Sequence, residues 1–223
     1  FPMMQPIRIA IAGVGNCASA LLQGLQYYAK SHPANGRPVP GLLNARVGPY
    51  TAADIAIVAA FDIDARKAGK PLETACAAPP NCTTQFLKQF PRYGVRVQMG
   101  PVLDGVAPHM SRYPASQTFI VSKARAVNVA KVLRQRGAEI LLNYLPVGSQ
   151  RATEAYATAC LDAGVSLINC IPVFIASDRR WAARFARRGI PLIGDDVKGQ
   201  LGATILHRTL ARLFMERGAS IER

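Results

Sequence analysis

The chain lacks any uninterrupted apolar run approaching the ~20 residues that a membrane-spanning helix needs, although half of its 223 residues are apolar. Nor does the stretch from Phe1 to Ile7 show a basic n-region followed by an apolar h-region, so no signal peptide is expected. Five cysteines (17, 76, 82, 160 and 170) show neither C-x-x-C spacing nor an accompanying histidine cluster. That pattern speaks against a zinc site or a disulfide framework, nominates no metal ligands, and points to a reducing cytoplasm. Acidic residues are scarce: 13 Asp and Glu stand against 27 Lys and Arg, a net charge of +14. The densest basic cluster is Arg179, Arg180, Arg184, Arg187 and Arg188 around Trp181 and Phe185. On a helix these charges spread rather than form one stripe, and the aromatics do not interleave as stacking platforms. A solvated basic surface is therefore the reading preferred over a nucleic-acid surface. No His-plus-carboxylate or Tyr-x-x-x-Lys arrangement follows the strands, which leaves an ordinary dehydrogenase without its usual acid–base group.

What is present is concentrated at the start. The β-branched run Ile7-Arg8-Ile9-Ala10-Ile11-Ala12 stops at Gly13-Val14-Gly15-Asn16-Cys17-Ala18, and a helical stretch containing Leu21, Leu22 and Leu25 follows. This is the G-x-G-x-x-A dinucleotide-binding turn in the strand-to-helix context it requires. Gly13 permits the tight turn, Gly15 lets the backbone approach a pyrophosphate, and Ala18 lets helix and strand pack closely. Phosphates would lie at the helix N-terminus, among unpaired N–H groups and the positive end of the dipole. Cys17 reads as a small packing residue rather than a nucleophile, because no histidine lies near it in sequence.

Further along, turn formers from His32 to Gly41 interrupt the chain. The apolar run Ile55 to Phe61 then reads as a buried parallel strand. It ends in Asp62, the place where an acidic residue takes ribose hydroxyls, with Asp64 as the alternative. A carboxylate there favours NAD over NADP, since a 2′-phosphate would be repelled. Val95 to Met99, Glu139 to Tyr144, Val165 to Cys170 and Ile190 to Gly194 read as further strands. Helices are expected from Val127 to Gln135, about Gln150 to Ala163, and around Trp181 to Arg188, ending at Gly137, Gly164 and Gly189. A last helix from about Gln200 to Arg217 would bury Leu201, Ile205, Leu210 and Leu213 against a partner. Alternating strands and helices give an α/β, doubly wound, mostly parallel Rossmann-type sheet. Its sites lie at the carboxyl ends of the strands, which singles out Asp62, Tyr144, Ser177 and Asp195-Asp196.

Eight segments together resemble the myo-inositol-phosphate synthases, in the style of their bacterial branch. They are Gly13 to Ser19, Pro40-Gly41-Leu42, Val47 to Tyr50, Ala59 to Asp64, Gly100 to Gly105, Asn143 to Ser149, Pro172 to Asp178, and Gly194 to Thr204. They fall in the family's order and span nearly the whole chain. The resemblance implies an NAD-dependent isomerase that converts D-glucose 6-phosphate to 1D-myo-inositol 3-phosphate. Its steps would be oxidation at C5, enolisation, aldol closure of C1 to C6, and re-reduction. Gly13, Gly15, Asn16, Cys17 and Ala18 would then form the pyrophosphate turn, with Asp62 on ribose. Ala124, Tyr144, Ser177 and Asp196 would line the cofactor, and Asp195 with Lys198 would lie at the catalytic end. The residue readings beside these are N-capping for Asp195-Asp196, a packed strand-end aromatic for Tyr144, and a solvated lysine for Lys198.

Two departures from the family pattern stand out. Gly199 replaces the usual Ser after the lysine, removing a hydroxyl contact near the cofactor. The sequence also matches only about the first 60% of such an enzyme. Residues 1–198 would form the NAD-binding domain, and 199–223 a helix leading into a catalytic and oligomerisation domain largely outside this chain. That domain would carry the lysines that polarise the carbonyl and bind phosphate. The expectations are therefore an inositol-phosphate synthase, a homo-oligomer (dimer or tetramer) acting on glucose 6-phosphate, or a short NAD-binding relative without turnover.

Overall fold

The computed structural model describes residues 5–30, 39–106, 108–197 and 202–220. Six parallel strands form one sheet: β1 (Ile7–Ala12), β2 (Ile55–Asp62), β3 (Val97–Met99), β4 (Ile140–Asn143), β5 (Ser166–Asn169) and β6 (Leu192–Ile193). Their order is β3-β2-β1-β4-β5-β6, the doubly wound dinucleotide-binding order, with its switch point between β1 and β4. The expected α/β fold is the observed one. The third and last strands are shorter than Val95 to Met99 and Ile190 to Gly194. The turn-rich segment from His32 lies outside the described residues up to position 38.

Alternation along β1 sets up the two layers. Ile9 and Ile11 face one side and Ala10 and Ala12 the other, because successive strand side chains point to opposite faces. The first face packs on α1 (Asn16–Ala29) and α2 (Leu72–Ala75) through Ala18, Leu22, Leu72 and Ala75. The second packs on α3 (Val129–Gln135), α4 (Gln150–Ala163) and α5 (Arg179–Arg187) through Leu133, Tyr156, Ala157, Cys160 and Phe185. In β2 the pairing slips by one residue: Ile9 faces Ile57 but Ala10 faces Ala59. The extra residue, Val58, lets Ile57 and Ala60 serve one layer while Ala59 and Phe61 serve the other.

Helix ends follow local chemistry. The Asn128 side chain accepts from Lys131 N at the start of α3, and Asp178 accepts from Arg180 and Trp181 N at the start of α5. Gly164, at φ 73°, ends α4 in the left-handed conformation that glycine adopts without strain. The last helix, α6 (Ala203–Glu216), buries none of its described side chains. Ile205, Leu210 and Leu213 are 38%, 39% and 49% exposed in the chain by itself, so the face expected to meet a partner is left open by the described residues; Leu201 lies outside the described residues. The apolar stripe exists, but nothing in the described chain covers it. No described helix is long and apolar enough to cross a membrane.

Candidate dinucleotide site

The carboxyl ends of β1, β2 and β4 surround a cleft of about 200 Å³ lined by Gly13, Gly15, Asn16, Asp62, Lys67, Asn81, Tyr144 and several apolar side chains. The turn after β1 is held by the sheet itself. Gly13 N–H donates to Phe61 O at 2.8 Å, and Tyr144 N–H donates to Ala12 O at 2.8 Å. Gly13 has φ +90°, and a Cβ there would sit 2.6 Å from the Tyr144 carbonyl oxygen. Both conformation and space therefore require glycine. Gly15 is different: a Cβ there would meet no atom within 4 Å. Gly15 lines the cleft, and protein packing does not demand this glycine.

α1 begins at Gly15 with no side-chain cap and no acidic residue in its first turn. Its first N–H groups are left for an anionic partner. Asp62, half-buried at the end of β2, accepts Val14 N–H on Oδ2 and Asp64 N–H on Oδ1, both at 2.8 Å. A carboxylate offers about four acceptor positions, so two remain for a diol. Leu103, Phe119, Leu145 and Pro146 add an apolar wall, suited to a flat aromatic ring. These residues fit a dinucleotide.

The alternative acid is committed elsewhere. Asp64 is 1% exposed. Its carboxylate accepts from Arg66 N–H and Nε at 2.8 and 2.9 Å, from Arg66 Nη2, and from Ile120 N–H at 3.2 Å. Burial raises its pKa, but the Arg66 hydrogen bonds and the Ile120 N–H outweigh that and hold it below the usual carboxylate range. Arg66 also donates to the carbonyls of Ala115 and Thr118 at 2.6 Å, so this ion pair straps down the segment beside the cleft.

Asp195 is committed too. Its Oδ1 accepts Asn169 Nδ2 at 2.8 Å and Ala176 N–H at 3.0 Å; its Oδ2 accepts Ile175 N–H at 3.0 Å and Ser177 N–H at 3.1 Å. Burial raises its pKa, but the Asn169 amide and the three backbone donors together outweigh that, for a net depression. With four donors on its oxygens, Asp195 is a poor proton acceptor, and it clamps the loop before α5. Among the described residues it caps no following helix. Asn169 in turn accepts on Oδ1 from Asn143 Nδ2 at 2.8 Å. The two asparagines, each the last residue of its strand, link β4, β5 and Asp195, two residues past β6, in one polar chain.

The other expected residues are scattered. Ala18 is fully buried behind the turn, but Cys17 is exposed; helical phase turns it outward, which corrects its expected packing role. Asn16 reaches sideways, its Oδ1 accepting Cys82 N–H at 2.8 Å and Thr83 Oγ1–H at 3.0 Å. Tyr144 is half-buried and lines the cleft, and burial raises its hydroxyl pKa. Ala124, Ser177 and Asp196 are exposed and do not line this cleft. Asp196 adopts φ +71° and its Oδ1 accepts Val197 N–H. Lys198 lies outside the described residues.

Three further positioning groups, Lys67, Asn81 and Asp104, act through contacts that no local sequence pattern signals. Asp104 accepts Arg151 and Ala152 N–H at 2.6 and 3.0 Å, capping α4 from a distant loop. Asn143 and Asn169 did carry one, an asparagine closing each of the two strands ILLN and SLIN.

No family model matches the chain. It is 49% identical over 217 residues to inositol-3-phosphate synthase of Corynebacterium glutamicum, covering 97% of this chain and 58% of that protein. With the enzyme of the same name from Mycolicibacterium smegmatis it shares 46% identity over the same fractions. A crystal structure of Ari2 superposes with a TM-score of 0.80 at 36% identity, covering 96% of this chain and 61% of the other. A myo-inositol-1-phosphate synthase-related protein from Thermotoga maritima, 20% identical with a TM-score of 0.68, shares the fold. The chain thus spans somewhat over half the length of the relatives it matches, in their N-terminal part.

Proposed function

Because the chain is related over nearly its whole length to the N-terminal part of the inositol-3-phosphate synthases, we propose that it serves as the NAD-binding part of such an enzyme. The reaction would be the isomerisation of D-glucose 6-phosphate to 1D-myo-inositol 3-phosphate. The 49% identity across 97% of the chain carries this reading, and the uncapped start of α1 facing the cleft supports it. Bound NAD would accept a hydride and return it within one cycle, so the isomerisation has no net redox change.

The chain's own residues would do the holding. The Gly13–Gly15 turn and the first N–H groups of α1 would bind the pyrophosphate. Asp62 would accept two ribose hydroxyls and disfavour a 2′-phosphate by charge repulsion. Tyr144 would pack beside the cofactor, while Asp195 would keep the Ser177 loop in place. Enolisation builds negative charge that needs preorganised cations. Lys198 is this chain's candidate, with further cations supplied by the catalytic domain that the relatives' extra length leaves room for. A dimer or tetramer in the cytoplasm is proposed with it.

The test is to mix the protein, together with the catalytic domain that would supply those cations, with NAD and D-glucose 6-phosphate and follow products by phosphorus NMR. Inositol phosphate formed without net NADH is the expected result. NAD binding without product would favour a cofactor-binding relative lacking turnover, and absence of NAD binding would overturn the cofactor assignment. Sedimentation of the same sample reads the oligomeric state.

A further inference from the structure

One group at the cleft has no place in the reading above. Lys67 is 3% exposed, and its ammonium donates to Val14 O at 2.9 Å and Asn81 Oδ1 at 2.7 Å. Asn81 Nδ2 donates to the same Val14 carbonyl at 3.1 Å and to Cys76 O at 3.0 Å. On the other side of the residue, Val14 N–H is held by Asp62 at 2.8 Å. The middle residue of the glycine turn is thus gripped at both its polar groups by three side chains from separate segments.

A peptide unit is planar and trans, so its C=O and N–H point in opposite directions. The Val14 carbonyl shares its peptide with the Gly15 N–H. Fixing that carbonyl toward Lys67 and Asn81 aims the Gly15 N–H the other way, from a residue that lines the cleft and whose Cβ space is empty. A buried ammonium is costly unless it is paired and hydrogen-bonded. Here the charge lies beside Asp62 and Asp64, and its burial lowers the lysine pKa. Two of its three donors are committed, and the residue itself lines the cleft.

We propose that Lys67, with Asn81, is a cofactor-positioning residue that orients the Val14–Gly15 peptide so that its N–H meets the pyrophosphate. The inference rests on the NAD reading and specifies which part of the ligand depends on Lys67. Adenosine lacks the pyrophosphate, so its affinity does not depend on that peptide.

The experiment compares wild type, Lys67→Met and Asn81→Ser in the whole chain, with calorimetric titration of NAD, NMR titration of adenosine, and thermal melts. Lys67→Met should weaken NAD by about 10- to 100-fold, the scale of one lost charge-assisted hydrogen bond. Adenosine affinity should stay within about twofold, well under the tenfold that 1.4 kcal/mol makes. Asn81→Ser leaves the ammonium in place and should give the same split with smaller amplitude. That variant keeps the question answerable if burying methionine disrupts folding. Equal weakening of NAD and adenosine would mean a general structural role and overturn the proposal. So would unchanged NAD affinity in a folded variant. Wild-type protein that binds no NAD would overturn the cofactor reading itself, whereas wild-type binding with insensitive variants would overturn only the role of Lys67.

Discussion

Asp62 closes β2 and Asp195 stands two residues past β6, one on either side of the switch point, yet their surroundings differ. Asp62 accepts two backbone N–H groups and lines an open cleft. Asp195 accepts four donors and closes a loop. The same side chain offers ligand-binding capacity in the first place and rigidity in the second, and the number of donors already spent decides which. Around the glycine turn the protein leaves capacity open: a bare helix start, an empty volume at Gly15, and a half-occupied carboxylate. Around β5 and β6 it spends that capacity on itself.

The sharpest way to test this contrast is Gly15→Val. No atom lies within 4 Å of the added Cβ, and Gly15 has φ −92° and an extended backbone. Thermal stability should therefore shift by no more than about 0.5 kcal/mol, while NAD binding should fall by about 100-fold or more, roughly 3 kcal/mol. Calorimetry and a melt on the same sample check both. Gly13→Ala should instead lower thermal stability, because its φ of +90° and the 2.6 Å approach to Tyr144 O make it a folding lesion.

Next comes Asp195→Ala, which strands the Asn169 amide and three backbone donors. A loss of about 2–3 kcal/mol in unfolding free energy is expected, read by urea melts. Acid dependence checks the cause. The folded pKa of Asp195 is depressed, so its stabilisation is complete above the unfolded value near 3.9 and fades as pH falls through the lower folded value. Melts between about pH 5 and about pH 2 should show wild type losing stability more steeply than Asp195→Ala. Parallel acid limbs would count against the clamp. Asp64, also depressed, contributes to both proteins alike.

Asp62→Asn should cost NAD about 1–3 kcal/mol of binding, the range for a lost charged acceptor, with only a small change in melting temperature. An unchanged titration would mean that the ribose is held elsewhere. Asp64 could not substitute without breaking its pairing to Arg66.

Features set by neighbours in sequence were legible in advance. The glycine turn, the strand starting at Ile55 and the Gly164 stop of α4 depend on local φ, side-chain alternation and helix phase. The clamps were not legible, because their partners are far apart along the chain: Lys67 acts on Val14, Asp104 on Arg151, and Asp195 on Ile175 to Ser177. Nothing in Gly194-Asp195-Asp196 distinguishes an acid from a clamp until the donors are placed around it. Cys17 was misread because its small size says nothing about which way α1 turns it. For α6, the apolar period was visible but not what would cover it, since amphipathicity records a demand for burial without naming the surface that meets it.

That demand yields the smallest predicted effect. Leu206, Leu210 and Leu213 touch no core layer of the sheet and are 55%, 39% and 49% exposed. Glutamine has nearly the helix propensity of leucine, so replacing all three with Gln should leave the melting of the sheet within about 0.5 kcal/mol per site of wild type. A core leucine such as Leu133, fully buried between α3 and the sheet, should lose several-fold more when cut to Ala, about 2–5 kcal/mol. If the triple Gln variant instead melts much earlier, the leucine face of α6 is covered in solution. In that case concentration dependence of the wild-type melt would show the cover to be another copy of the chain, because only association makes the melting temperature rise with protein concentration.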